Sequence, residues 1–118
     1  MNEQVLDLKE VLERVQDDRE LLLELLDIFF EDYPKKMKDI RTALQKKDTA
    51  QIQDLAHSMK GASGNVSAKK IHASFLAIVQ MAKNSNFKAM EDSLGVLDGQ
   101  FAELQSYCAQ VKENFKSK

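Results

Sequence analysis

Apolar residues recur along this chain at steps of three and four, the spacing that gathers side chains on one face of an α-helix. Val5, Leu8, Leu12 and Val15 form the first such set and predict a short helix ending near Gln16. Asp17, with Glu20 three residues later, has the form of a capping box and predicts the start of a second helix. The apolar set of that helix includes Leu22, Leu25, Leu26, Phe29, Tyr33, Met37, Ile40 and Leu44. Pro34 falls inside it and is expected to kink or split the segment, because proline has no N–H and crowds the preceding turn. Asp48 and Gln51 repeat the capping pattern at the head of a third helix, which ends between Gly61 and Ser67. A fourth helix is expected from about Ala68 to Lys83, with Ile71, Phe75, Ile78, Val79 and Ala82 inward, before a turn at Asn84, Ser85 and Asn86. The last is the clearest: Met90, Leu94, Leu97, Phe101, Leu104, Cys108, Val111 and Phe115 alternate steps of four and three without a break, the seam of a helical bundle, with Gly95 and Gly99 off it.

No run alternates apolar with polar residues long enough to make a strand, and the chain carries only four glycines and one proline. The expected fold is all-α: an antiparallel four-helix bundle with an additional short N-terminal helix covering one end. With 118 residues, 43% of them apolar, the chain is long enough for one continuous core, so residues 1–118 are read as a single helical domain. A net charge of −2 spread through mixed signs leaves no basic field for nucleic acid. Met1 to Glu10 alternates charged with apolar residues, which excludes a signal peptide or a membrane span there and points to a cytoplasmic protein. Cys108 has no second cysteine to pair with and lies on the apolar seam, where a thiol behaves as a small hydrophobe.

Candidate chemistry centres on His57. On a helical wheel of residues 50–66, Ile52, Leu55, Ala56, Met59, Ala62, Ser63 and Val66 share one side, and His57 falls nearly opposite its centre. Gly61 at i+4 and Gly64 at i+7 share the polar face with it, where each costs about 1 kcal/mol relative to alanine. Bare backbone beside an imidazole gives a second protein room to bring a reactive group close. The competing explanation is that Gly61 to Asn65 forms a C-cap and turn, where glycine and asparagine are favoured. Lys60 at i+3 is near enough to neutralise charge on a group attached to the ring. A free imidazole has a pKa of about 6.5, so near neutral pH a ring nitrogen lone pair can attack phosphorus without a separate base. Phosphoryl transfer also needs Mg²⁺ and an in-line donor, and the chain has no nucleotide-binding glycine loop, strand-borne lysine or clustered metal-binding carboxylates. A partner must bring those parts. His72 stands outside any motif and reads as a surface or capping residue, and two isolated histidines make no metal site.

The segment Ala56-His57-Ser58-Met59-Lys60-Gly61-Ala62-Ser63-Gly64-Asn65-Val66 resembles the A-H-x-φ-K-G-[SA]-[SA]-G-N-φ signature, φ being apolar, of the histidine-containing phosphotransfer (HPt) domains of multistep phosphorelays. The upstream Phe29-Phe30-Glu31-Asp32-Tyr33-Pro34 and its continuation to Leu44 and Asp48 are similar to the family's aromatic-rich helix, proline and following apolar helix, so the likeness spans roughly residues 18 to 83. It implies that His57 is the phosphoacceptor, that Lys60 supports the phosphate, and that Gly61 and Gly64, counted here with Gln53, form the docking surface. Gln80 or Lys83 on the next helix is a candidate for a polar group near the phosphohistidine. Ser67 stands where the family usually has glycine, which touches only the shape of the turn. The implied partners are response-regulator receiver domains and a hybrid sensor histidine kinase. The receiver supplies Mg²⁺ and catalytic groups to a monomeric phosphocarrier that binds no cofactor or metal and has no ATP-dependent kinase activity of its own. A sensor-kinase dimerisation helix would follow its histidine with an acidic residue and then a proline, which Ser58 and Gly61 do not match. A haem or di-iron bundle would need inward Glu and His at i, i+3. The alternative from another class is a non-catalytic helical interaction module whose histidine is never phosphorylated.

Overall fold

In the computed structural model, which describes residues 4–116, the apolar periodicities resolve into α1 (Leu8–Arg14), α2 (Arg19–Gln45), α3 (Thr49–Asn65), α4 (Lys69–Lys83) and α5 (Phe87–Lys116). The four long helices make the bundle and α1 covers one end of it, as the periodicity requires. The N-terminal reading reaches beyond these limits, since Met1 to Glu3 lie outside the described residues. All five inward positions expected of α4 are buried, and the α5 seam is buried at Met90, Leu94, Leu97, Leu104, Cys108 and Val111. Burial pushes the Cys108 thiol up to about 12, in keeping with a thiol used for packing.

Three sequence expectations shift. The α2 cap is Asp18, whose carboxylate accepts from the Leu21 N–H at 3.0 Å; Asp17 has φ 62 and belongs to the turn leaving α1. A residue in the left-handed region cannot also take the extended backbone of an N-cap. Val5 precedes α1, and the deepest residue of that helix is Val11, because a helix of seven residues starting at Leu8 turns that side inward. Finally, α2 is one helix through Pro34. The proline itself is exposed, while Phe29, Tyr33 and Met37 hold both halves to the core.

The helices reverse through one repeated device. Gln16, Lys47, Ser67 and Ser85 have φ of 56, 55, 58 and 52. After α3, the Ala68 N–H donates to the Ser63 carbonyl and the Ser67 N–H to the Gly64 carbonyl; the same pair recurs after α1, α2 and α4. This is the Schellman arrangement, here built each time on a residue other than glycine. None of the glycines has a positive φ, and all lie inside helices.

The α3–α4 reversal is held by α1. The Asp7 N–H donates to the Ser67 carbonyl (2.9 Å), and Ser67 Oγ (2.8 Å) and Lys69 Nζ (2.9 Å) donate to Glu10 Oε1. Arg14 Nη1 donates to the Gly64 and Asn65 carbonyls at 2.7 and 2.8 Å, placing positive charge on the C-terminal end of α3. The Lys69 hydrogen bond, followed by that of Ser67, lowers the Glu10 pKa. Deeper in the bundle Phe29, Tyr33, Phe75 and Phe101 pack together, and Tyr33 stacks on Phe101 at 3.8 Å between ring centroids. The Tyr33 hydroxyl donates to Asp98 (3.1 Å), which also pairs with Arg41 at 2.7 Å. Burial, with Asp98 beside it, drives the Tyr33 pKa well above its ordinary value.

Candidate functional site

The middle of α3 is steered by its own apolar stripe. Ile52, Ala56, Met59 and Ser63 are buried, which turns His57 to the exposed side of the helix. Ser63 is a polar member of that stripe, and its one hydroxyl hydrogen is satisfied locally, shared between the carbonyls of Met59 (2.7 Å) and Lys60 (3.1 Å). Lys60 and Gln53 are half-buried beside the histidine, one turn to either side. Helical side chains lean toward the N-terminus, so Lys60 covers the turn that carries His57.

The two glycines have different surroundings. A Cβ placed on Gly61 would meet nothing within 4 Å, so the backbone next to His57 is open. A Cβ on Gly64 would lie 3.2 Å from Nδ1 of His72, so its space is filled from within the protein. Neither belongs to a turn, since α3 continues to Asn65. His72 Nδ1 is 2.8 Å from the Lys60 carbonyl, and because a carbonyl only accepts, the ring donates through Nδ1–H. The capping role expected of His72 is thus directed at a carbonyl inside α3.

That hydrogen bond sets the register of the α3–α4 hairpin. At about 1.5 Å of rise per residue, His57 is about level with Leu76 and Ala77, with Gln80 about one turn and Lys83 about two turns farther along α4. His72, Leu76, Gln80 and Lys83 follow one another at i+4, i+4 and i+3 on one α4 stripe. Leu76 is 43% exposed, and across α3 the α2 residue Ile28 is 62% exposed. Between α2 and α3 runs a shallow cleft of about 170 Å³ lined by Leu25, Ile28, Phe29, Asp32, Ala62, Asn65 and Val66. Exposed apolar side chains therefore lie on both sides of α3, Leu76 near the level of His57 and Ile28 toward the C-terminal end of the helix, where the cleft lies. Ile28 and Leu76 went unsingled in the sequence because an outward apolar residue in an amphipathic helix leaves little trace in the periodicity. For His72 the trace was Gly64, a helix-interior glycine that signals close approach without naming the neighbour. Among the described residues no group of three or more His, Cys, Asp or Glu side chains is placed to hold a metal ion.

The family model described as Hpt domain matches residues 24–114, most of the chain. The chain belongs to the Hpt domain family. The match extends beyond the 18–83 likeness read from the sequence by taking in α5. Among solved structures, histidine-containing phosphotransfer protein B from Pseudomonas aeruginosa superposes with a TM-score of 0.83 at 24% identity, over 96% of this chain and 98% of that one. Histidine-containing phosphotransfer protein MtHPt2 from Medicago truncatula superposes with a TM-score of 0.79 at 22% identity, over 96% of this chain and 82% of that one. No curated protein matches the sequence. As an Hpt domain, the chain is a phosphorelay intermediate of two-component signal transduction, a phosphocarrier and not a kinase, and its family works with receiver domains and histidine kinases. No helix among the described residues is long and apolar enough to cross a membrane.

Proposed function

We propose that His57 accepts a phosphoryl group from the aspartyl phosphate of a receiver domain and returns it to the aspartate of another. The observation that carries this reading is the pairing of an outward His57 in mid-helix with the open Cα of Gly61 one turn on. A ring nitrogen lone pair attacks phosphorus; the N–P bond forms as the P–O bond to the aspartate breaks, and the carboxylate leaves with the electron pair. The other ring nitrogen keeps its hydrogen throughout. The receiver brings Mg²⁺ to offset charge on the transferring oxygens, and this chain binds neither metal nor cofactor. Lys60 places its ammonium against the phosphoryl oxygens, and Gly61 admits the receiver to the ring.

Docking uses Gln53, Gly61, the exposed Ile28 and Leu76, and the cleft between α2 and α3. Exposed apolar side chains mixed with polar ones suit a transient partner, whose interface as a whole is no more apolar than ordinary surface. Gly64 contributes there through its backbone, its missing side chain being explained by His72. Gln80 stands at the rim on the α4 stripe and Lys83 farther out. The protein acts as a cytoplasmic monomer between the receiver of a hybrid sensor histidine kinase and that of a response regulator.

Incubation with a phosphorylated receiver tests the reading. Wild type is expected to take up label that is acid-labile and base-stable, and His57→Gln to take up none. Lys60→Ala is expected to slow transfer or shorten the phosphohistidine lifetime with the fold intact. Absence of label on the wild type with every cognate receiver, or equal labelling of His57→Gln, overturns it.

A further inference from the structure

Lys60 acts through its side chain, yet the hydrogen bond that α4 makes to it is made to its backbone. Its carbonyl, besides lying in the helical ladder, accepts Ser63 Oγ from within α3 and His72 Nδ1–H from α4. Glycine at 64 gives the imidazole room at that carbonyl: a Cβ there would stand 3.2 Å from Nδ1 and 3.4 Å from Cε1, and the ring would have to give way by a few tenths of an ångström. Gly64 is one helical turn beyond Lys60 on the same face, so the ring fills the patch directly C-terminal to the lysine. Helix geometry already leans a lysine toward the preceding turn. With the C-terminal patch filled by the ring, that lean toward the turn of His57 is the one the half-buried Lys60 keeps open to it.

We infer that His72 is a positioning residue for Lys60: its imidazole, seated on the bare Cα of Gly64 and hydrogen-bonded to the Lys60 carbonyl, holds the lysine beside His57. Gly64, His72 and Lys60 are then one unit. The glycine makes room, the histidine fills it, and the lysine is aimed. This inference deepens the phosphotransfer reading and rests on it for its kinetic consequence, but the hydrogen bond and the side-chain order it requires are measurable without any transfer.

The test is a double-mutant cycle with a rescue. Asparagine places an amide donor where Nδ1 stands, whereas leucine keeps bulk and removes the donor. His72→Leu is expected to slow transfer from a phosphorylated receiver by about fivefold, the loss of one positioning hydrogen bond, and His72→Asn to stay within about twofold of wild type. In a Lys60→Ala background the same His72→Leu change is expected to matter less than about twofold, since there is no lysine left to aim. Equal losses in both backgrounds, or an asparagine variant as slow as the leucine one, would mean that His72 supports the fold and nothing more specific. In the unphosphorylated protein, long-range ¹H–¹⁵N spectra are expected to find neutral His72 as the Nδ1–H tautomer, and the Nε2–H tautomer overturns the inference. Order parameters at Lys60 Cε are expected to fall in His72→Leu, and unchanged order likewise overturns it. Should no receiver label the wild type, the phosphotransfer reading fails by itself, and these two spectroscopic measurements still decide the role of His72.

Discussion

Gly61 and Gly64 stand three residues apart in one helix and break the same rule, that glycine weakens a helix interior, for different reasons. The first borders open space and the second borders an imidazole. Gly61→Ala is therefore expected to raise stability by about 1 kcal/mol through helix propensity, read as a higher urea midpoint, while slowing transfer from a receiver. Faster or unchanged transfer would remove Gly61 from the docking surface. Gly64→Ala gains the same propensity but presses on the His72 ring, which must give way by a few tenths of an ångström, so it is expected to be less stable than Gly61→Ala by up to about 1 kcal/mol. Equal stability of the two variants would contradict the packing of the ring on Gly64.

At the level of elements, the turns are where this chain is least comfortable. Each Schellman cap holds a non-glycine residue in the left-handed region, a conformation that costs an L-residue about 1–2 kcal/mol. Ser85 is exposed and makes no side-chain hydrogen bond to set against that cost, so Ser85→Gly is expected to stabilise the protein by about 0.5–1 kcal/mol in urea denaturation. Ser67→Gly should change little, because relief of the same strain is offset by loss of the Oγ hydrogen bond to Glu10. A gain at Ser67 matching that at Ser85 would show the Glu10 contact to be idle. The attachment of α1 has a pH signature. The Glu10 carboxyl is held below its ordinary value of 4.5 in the folded protein, so its stabilising effect is fully present above 4.5 and is lost as pH falls through the lower native value. Below pH 4.5, exchange protection of the Asp7 and Lys70 amides, which bind the N-terminal segment to the α3–α4 turn, is expected to fall relative to the core helices. In Glu10→Gln that extra pH dependence should vanish; its persistence would assign it to another group.

Across the whole molecule, an aromatic cluster ties α2, α4 and α5 together. Phe75, fully buried and edge-on to Tyr33, is its α4 member and sits close to the level of His57. Phe75→Ala is expected to cost about 3–5 kcal/mol, seen as a large drop in Tm, whereas His57→Gln, on the open side of α3, should shift Tm by no more than a degree or two. Comparable losses for the two variants would mean that His57 also carries structural weight.

Period and composition sufficed wherever a single helix decided the outcome. The apolar faces of α4 and α5, the Asp48 cap, the reversal at Asn84 to Asn86 and the outward direction of His57 all follow from steps of three and four along one helix. Offsets of one residue escaped that reading, as with Asp17 for Asp18, because a left-handed turn residue has the same chemistry as the cap beside it. What needed the tertiary structure were the meetings between helices: His72 on Gly64 and the Lys60 carbonyl, Arg14 on the end of α3, Ser67 with Glu10, and the course of α2 through Pro34. The sequence by itself determined that a histidine faces outward on a helix beside a lysine and two glycines. Only the packing of α4 on α3 decided which glycine borders open space and which an imidazole, since periodicity describes one helix and is silent about its neighbour.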